Sequence, residues 1–162
     1  MDTTDRDLAL EVAKGDAAAA EFMLQMCRVM HLWDDLIDKD KAVSDAQINE
    51  AFQLALVDIP RNPFYARHFV ALNAHVQTAI TNWHVATRME REGGDYEKSI
   101  AFILRSSYMD LFTQVAQIVG GPEWAVEMAH KTRLLTHKET YAGYLMNLER
   151  EAIGRLAREG GA

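Results

Sequence analysis

The chain has 162 residues, of which 49% are hydrophobic and 25% charged, and its formal net charge at pH 7 is −7. This length fits one domain with a sizeable apolar core, and this composition excludes a disordered or fibrous protein. The first 50 residues hold 12 acidic against 5 basic side chains, whereas residues 51–162 hold 12 of each. Because non-specific nucleic-acid binding needs a clustered basic face, we expect no nucleic-acid partner.

Cysteine content and the N-terminus predict the compartment. Cys27 is the single cysteine, so no intramolecular disulfide can form, and the opening MDTTDRDLAL lacks the basic start and apolar core of a signal peptide. No apolar stretch approaches the roughly 20 residues that span a bilayer. We therefore expect a soluble protein of a reducing, cytoplasm-like compartment, without a membrane partner.

Apolar residues recur along every long segment with a period of about 3.6, and no run shows the alternation of a half-buried strand. This pattern predicts an all-α fold, a single-domain antiparallel bundle of six or seven helices that covers residues 1–162. Gly15 is a suitable helix end, with Asp16 as the next N-cap. Further along, Ser44 and Gln47 have the spacing of a capping box.

Proline and glycine punctuate the second half of the chain. The sequence DIPRNPF at 58–64 cannot continue a helix, and Asn62 followed by Pro63 predicts that a long helix begins at residue 63. That helix should end at EGGD, residues 92–95, where Gly93 and Gly94 can adopt the left-handed conformation. The sequence GGP at 120–122 should stop one helix and start the next.

The acidic stretch HLWDDLIDKD, residues 31–40, ends the predicted helix at 17–39. A helical wheel places Asp35 on the face opposite the main apolar face, and points Asp34 and Asp38 between the two faces. Two interpretations follow. The acids mark the solvated end of a buried helix, or Asp34 and Asp38, one turn apart, present their oxygens to Mg²⁺. Without a cation, the same spacing is a like-charge repulsion.

The residues DDLID match the D-D-x-x-D signature of class I isoprenoid synthases, and the chain resembles that all-α family at this motif. The resemblance implies that Asp34 and Asp38 bind Mg²⁺ ions that grip a substrate diphosphate, with Asp35 in support. The family's second motif is similar to NWHVATRME, in which Asn82 and Glu90 stand at two ligand positions and an alanine occupies the third.

Arg105 interrupts the apolar helix AFILRSSYMDLF. It either pairs with a carboxylate inside the bundle or holds a substrate anion through both guanidinium nitrogens. The second alternative makes Arg105 the candidate catalytic residue of a diphosphate-binding enzyme.

Most of residues 20–140 resemble a second group, small all-α proteins encoded by tailed bacteriophages. The likeness runs through HLWDDLIDKDKAVSDAQI, PRNPFYARHF, NWHVATRMERE, FILRSSYMDL and QIVGGPEW, in this order. It implies a viral origin, a location in the host cytoplasm and no assigned activity. Two functions are therefore expected. One is an accessory interaction protein, a homo-oligomer or a binder of another protein, whose exposed aromatics include Phe64, Tyr65 and Phe69; the alternative for Phe64 and Phe69 is a place in the core. The alternative is an Mg²⁺-dependent, diphosphate-binding enzyme.

Overall fold

The computed structural model describes residues 3–39, 41–136 and 139–159, and every regular element in these ranges is helical. The elements are α1 (Thr3–Val12), α2 (Ala17–Asp38), α3 (Asp45–Gln53), a π-helical segment (Leu54–Asp58), α4 (Ile59–Arg61), α5 (Pro63–Arg67), α6 (Phe69–Glu92), α7 (Asp95–Leu104), a 3-10 segment (Arg105–Met109), α8 (Asp110–Thr136) and α9 (Tyr141–Glu159). The prediction of an all-α helical bundle is confirmed.

The predicted caps of α2 and α3 are present. Gly15 has a φ of +83°, which favours glycine, and the Asp16 carboxylate accepts hydrogen bonds from the backbone N–H groups of the first turn of α2. Ser44 accepts from the Gln47 N–H, and the Gln47 side chain accepts in return from the Ser44 N–H. Both boundaries follow from side chains a few residues apart, so the local sequence determines them.

Asn62 caps α5 as predicted, accepting from the N–H groups of Phe64 and Tyr65 at 2.9 and 3.1 Å. The expectation of one uninterrupted helix from residue 63 is wrong, because His68 leaves the helical conformation with φ −111° and ψ 20°. The rings of Phe64 and Tyr65 are buried, and Tyr65 stacks on Phe22 of α2. The break therefore separates a short turn anchored on α2 from the long helix α6.

Glycines end the later helices, by two mechanisms. Gly93 and Gly94 have φ values of −93° and −84°, so the expected left-handed conformation is wrong. A Cβ at Gly93 would lie 2.5 Å from the Met89 carbonyl oxygen, so glycine is required at residue 93 because it has no side chain, and not because of its φ angle. Gly121, with φ +79° and ψ −176°, does interrupt α8, and the helix resumes at Pro122. The predicted break at 120–122 is confirmed.

One apolar core lies between α1, the first half of α2, α6 and α8. Its fully buried side chains include Phe22, Met23, Leu72, Leu111 and Val115. Burying a side chain of this size is worth about 1.5–3 kcal/mol relative to leaving it exposed. The second half of α2 extends past this core and carries the acidic stretch. Charged and polar residues interrupt the longer helices in the described part of the chain, and none of these helices meets the requirements of a membrane span.

Candidate functional site

The acidic stretch lies where α2 ends. Lys39 has a left-handed φ of +54°, and its N–H donates to the Asp35 carbonyl at 3.0 Å, so the helix stops directly after Asp38. Asp38 is only 6% exposed although it is charged. Asp34, one turn earlier, is partly buried on the same side of the helix. The interpretation of these two acids as solvated helix-end residues is therefore wrong for Asp38, because an isolated buried carboxylate is costly.

Arg105, the first residue of the 3-10 segment, explains this burial. Its Nη2 lies 2.6 Å from Oδ1 of Asp34 and 2.6 Å from Oδ2 of Asp38. Its Nη1 lies 3.0 and 3.1 Å from the two carboxylate oxygens of Glu90, on α6. Charge-assisted hydrogen bonds of this kind are about twice as strong as neutral ones. One guanidinium thus joins α2, α6 and the 3-10 segment, and we call these four residues the Arg105 cluster.

Neighbouring side chains hold the cluster in place. The indole Nε1 of Trp83 donates to Oδ1 of Asp34 at 2.9 Å, and the Arg105 guanidinium lies over the same indole, 5.9 Å from its centroid. The hydroxyl of Tyr144 donates to Glu90, which connects α9 to the cluster. Trp83 is also packed against Trp33, with ring centroids 4.6 Å apart. These contacts fix the carboxylates from three helices.

The protonation states follow from this environment. Burial by itself lowers the pKa of Arg105, but the charges of Glu90, Asp34 and Asp38 more than reverse this, so its pKa lies above the ordinary value. Burial, followed by the hydrogen bond to Glu90, raises the pKa of Tyr144. Arg105 is therefore charged and Tyr144 is a hydrogen-bond donor over the physiological pH range.

The structure brings together four of the six predicted site residues. Asp34, Asp38 and Glu90 converge, as the metal hypothesis requires, but they converge on the guanidinium of Arg105. Of the two roles weighed for Arg105, the structure therefore shows the internal ion pair.

The other two predicted residues lie outside the cluster. Asp35 points elsewhere and pairs with Lys41 at 2.9 Å. Asn82 is partly buried and makes no hydrogen bond to the cluster in the described part of the chain. Among the residues described, no group of three or more His, Cys, Asp or Glu side chains is arranged to hold a metal ion.

One cavity borders the cluster and a second lies next to it. The first, of about 320 Å³, is lined by Asp34, Asp38 and Arg105 and by aromatic side chains from α6, α7, the 3-10 segment and α9. The other, of about 740 Å³, is lined by Cys27 and other apolar side chains of α1, α2 and α8, and also by the charged side chains of Asp5, Arg28, Asp35 and Glu50. His31 and Tyr108 line both cavities, with Nε2 of His31 and the hydroxyl of Tyr108 3.4 Å apart. This pair therefore lies at the boundary between the two cavities.

Sequence reasoning did not find Trp83 or Tyr144. The sequence position of Trp83 could have indicated its role, because Trp83 lies seven residues before Glu90 on α6 and so shares a helix face with it. The sequence position of Tyr144 could not, since 54 residues separate Tyr144 from Glu90, the carboxylate that it contacts. No protein-family model, no curated protein and no solved structure matches this chain.

Proposed function

We propose that the protein is a small accessory protein of the tailed-phage type that acts by binding protein, first of all a second copy of itself, and not by catalysis. The observation that carries this proposal is an apolar stripe on α7. Tyr96, Ile100 and Ile103 are 75%, 37% and 55% exposed, and they follow one another at i, i+4 and i+7. Residues at this spacing share one face of a helix.

The stripe differs from ordinary surface apolar residues, which are scattered singly. It occupies a helix of ten residues whose opposite face is buried through Ala101. A two-fold symmetric interface places the same patch of both copies in contact, so one stripe suffices to form a dimer. The chemistry of the stripe therefore favours a second amphipathic helix as its partner.

The patch expected at Phe64, Tyr65 and Phe69 is not the supporting surface. Phe64 and Tyr65 are buried in the core, and only Phe69 is exposed. The expectation of an exposed patch is wrong because the Phe64 and Tyr65 side chains belong to the apolar core, where Tyr65 stacks on Phe22 of α2. The proposed interaction surface is therefore the stripe on α7 and not the segment at residues 64–69.

A non-catalytic role also accords with the chemistry of the reactive side chains. Arg105 is bound by three carboxylates and does not offer its guanidinium to a substrate anion. Burial, reinforced by the negative charge of Asp5, raises the pKa of Cys27 to about 12, so its thiol is not an activated nucleophile. The guanidinium of Arg105 and the thiol of Cys27 are therefore poorly suited to bind a substrate anion and to act as a nucleophile, respectively.

Analytical ultracentrifugation of the full chain over a wide concentration range tests self-association. We expect a monomer–dimer equilibrium that Tyr96→Glu with Ile103→Glu weakens at least tenfold, because charges would enter an apolar interface. Val70→Glu is the matched control, since Val70 is 84% exposed on α6, outside the stripe. A chain that stays monomeric at every concentration, or equal weakening by the control, would overturn the proposal.

The Mg²⁺-dependent, diphosphate-binding enzyme stays a second candidate, because Asp34, Asp38 and Glu90 do meet at one point. For this function Arg105 would have to yield its place to the metal and turn to the diphosphate. Thermal melting during a Mg²⁺ titration, with and without inorganic pyrophosphate, tests it, since a ligand specific for the native state must raise the melting temperature. A rise that Asp34→Asn and Asp38→Asn abolish would support the enzyme; no rise, or an equal rise in these variants, removes it.

A further inference from the structure

We propose that the cavity of about 740 Å³ binds a neutral, mainly apolar small molecule that carries one hydrogen-bonding group. Side chains of α1, α2, α3, the π-helical segment, the 3-10 segment and α8 line this cavity. Its volume lies within the roughly 300–1,000 Å³ of ligand pockets, which are lined mainly by apolar side chains with a few polar groups among them. The proposal is independent of self-association, because the cavity and the stripe on α7 share no residue.

The innermost part of the cavity lining is apolar. Leu54, Met109 and Phe112 are buried, and they come from three different elements. Half-buried apolar side chains of α1 and α2 also line the cavity, namely Leu8, Leu24, Cys27 and Leu32. Enclosure by six elements suits a compact molecule, since an amphipathic helix of another protein needs an open groove in which to lie. The lining therefore favours a small apolar ligand over a peptide.

A π-helical turn forms part of the cavity wall. α3, the π-helical segment and α4 follow one another without interruption from residue 45 to residue 61, and the Ile59 N–H donates to the Leu54 carbonyl five residues earlier. Single π turns inside helices are rare and occur frequently at functional sites. The first residue of this turn is Leu54, which is buried and lines the cavity, whereas Leu56 is exposed. The irregular turn therefore coincides with the cavity, and this observation is independent of the cavity's volume.

The charged side chains of the lining disfavour an anionic ligand. They are Asp5, Asp35 and Glu50 against one arginine, Arg28. Nη1 of Arg28 lies 3.5 Å from Oε1 of Glu50, and these two side chains are 51% and 59% exposed, so this pair lies at the solvent side of the cavity. Nζ of Lys41 lies 2.9 Å from Oδ1 of Asp35. An anion would meet three carboxylates and an arginine that is already in an ion pair, whereas a neutral ligand avoids this repulsion and the cost of burying a charge.

His31 and Tyr108 supply the polar contact for the ligand. Nε2 of His31 and the hydroxyl of Tyr108 lie 3.4 Å apart, which is longer than the roughly 2.7–3.2 Å of a well-formed hydrogen bond. The bond between them is therefore weak, and a ligand that bonds to either group gains a better one. A hydroxyl both donates and accepts, so a ligand with a single O–H or N–H group can bond to Tyr108 while its remainder contacts the apolar side chains.

Fluorescence titration of the full chain with N-phenyl-1-naphthylamine tests the proposal. This probe is neutral, is apolar apart from one N–H group, and gains fluorescence in apolar surroundings. The comparison compound, 1-anilinonaphthalene-8-sulfonate, has the same ring skeleton with an added negative charge. We expect saturable binding of one neutral probe molecule per chain, at least tenfold tighter than binding of the sulfonate. Equal or tighter binding of the sulfonate, or no saturable binding of the neutral probe, would overturn the proposal.

Cys27 locates the bound probe, because it is the single cysteine of the chain and lines this cavity. We expect saturating N-phenyl-1-naphthylamine to slow the reaction of Cys27 with 4,4′-dithiodipyridine at least fivefold, as measured by release of thiopyridone at pH 8. The measurement uses the wild-type chain, so it does not depend on the folding of a variant. An unchanged rate would place the probe outside the cavity and would contradict the proposal.

Two tryptophan variants separate the cavity from the rest of the surface. Ala51→Trp adds a bulky ring to the cavity lining on α3 and should weaken binding of the neutral probe at least tenfold. Ala74→Trp is the matched control, since Ala74 is exposed on α6 and does not line the cavity, and it should leave binding unchanged. Circular dichroism verifies that each variant is folded. Tyr96→Glu with Ile103→Glu should also leave binding unchanged. Equal effects of the two tryptophan variants, or loss of binding in the α7 variant, would overturn the proposal.

Discussion

Each half of α2 places side chains in the interior of the protein, and the two halves do so by opposite means. The first half places Phe22 and Met23 in an apolar core without a polar partner, whereas the second half places Asp38 against the guanidinium of Arg105. An apolar side chain gains from any water-excluding neighbour of suitable shape. A buried carboxylate gains only from a donor at the right distance and angle. On the same helix, burial of the apolar side chains therefore tolerates changes in the neighbouring residues, whereas burial of Asp38 requires one particular hydrogen-bond donor.

The apolar core and the Arg105 cluster also differ in how many contacts hold distant segments of the chain together. The apolar core gathers many residues from α1, α2, α6 and α8, so its stability is distributed. The Arg105 cluster joins α2, α6, the 3-10 segment and α9 through a handful of hydrogen bonds. Loss of the guanidinium that all three carboxylates share should therefore be more damaging than loss of one side chain from the core, and the following experiments test this contrast.

Arg105→Met should have the largest effect. It leaves three carboxylates together without their cation, and removing one partner of a buried ion pair typically costs about 3–5 kcal/mol. Urea unfolding measures the loss of free energy of unfolding. Arg88→Met, which breaks the exposed pair with Glu92, is the matched control and should show no measurable loss. Equal losses in the two variants would contradict the contrast.

Leu72→Ala should be the next largest. Leu72 is fully buried in the apolar core, and truncation of such a residue costs about 2–5 kcal/mol, depending on how well the site collapses. Urea unfolding again gives the value. Leu56→Ala, at a residue that is 69% exposed, should change the free energy of unfolding by less than about 0.5 kcal/mol. A loss for Leu72→Ala greater than that of Arg105→Met would reverse the proposed ranking.

Alkaline pH should destabilise the protein moderately, through deprotonation of Cys27 on α2 and of Tyr108 on the 3-10 segment. Burial raises the pKa of Cys27 from 9.0 to about 12 and that of Tyr108 from 10.0 to about 12. The unfolded chain therefore releases these protons at lower pH than the native one, so the free energy of unfolding falls as pH rises from about 9 to 12. Tyr108→Phe should flatten this fall in urea unfolding. Tyr96→Phe, on exposed α7, should keep the wild-type profile, and a fall that both variants share would refute the assignment.

Asp34→Asn should have the smallest effect. The substitution keeps an oxygen for Arg105 and Trp83, and it removes one charge from a cluster that holds more carboxylates than cations. We expect a change of less than about 1 kcal/mol in the free energy of unfolding. A loss as large as that of Arg105→Met would show that the cluster needs all three negative charges.

Local features of the sequence predicted much of the fold. Asp16, Ser44 and Asn62 are caps because each side chain bonds to backbone two or three residues away. The break at His68 was missed because it depends on the burial of the α5 rings against α2, which no local pattern records. At Gly93 the local indication was correct about the boundary and wrong about its cause, which is the close approach of Met89.

The candidate site was predictable only in part, for the same reason. The helical register placed Asp34 and Asp38 between the apolar face of α2 and the opposite face, and Arg105 was notable as a charge within an apolar helix. That these residues meet could not be deduced, because 71 residues separate Asp34 from Arg105 in the chain. The metal role was predicted from the one-turn spacing of the two aspartates and from the motif, whereas the cation that the structure places between the carboxylates is the guanidinium of Arg105.

The sequence by itself determined that this chain is helical, where most helices begin and end, and which face of α2 is apolar, since these depend on interactions within a few residues. Only the tertiary structure decided that three carboxylates surround one guanidinium, that Asp35 lies outside that group, and that an acidic, aromatic cavity opens beside it. Helical periodicity specifies the side of a helix on which a charge lies. It carries no information about the charge that a distant helix brings to meet it.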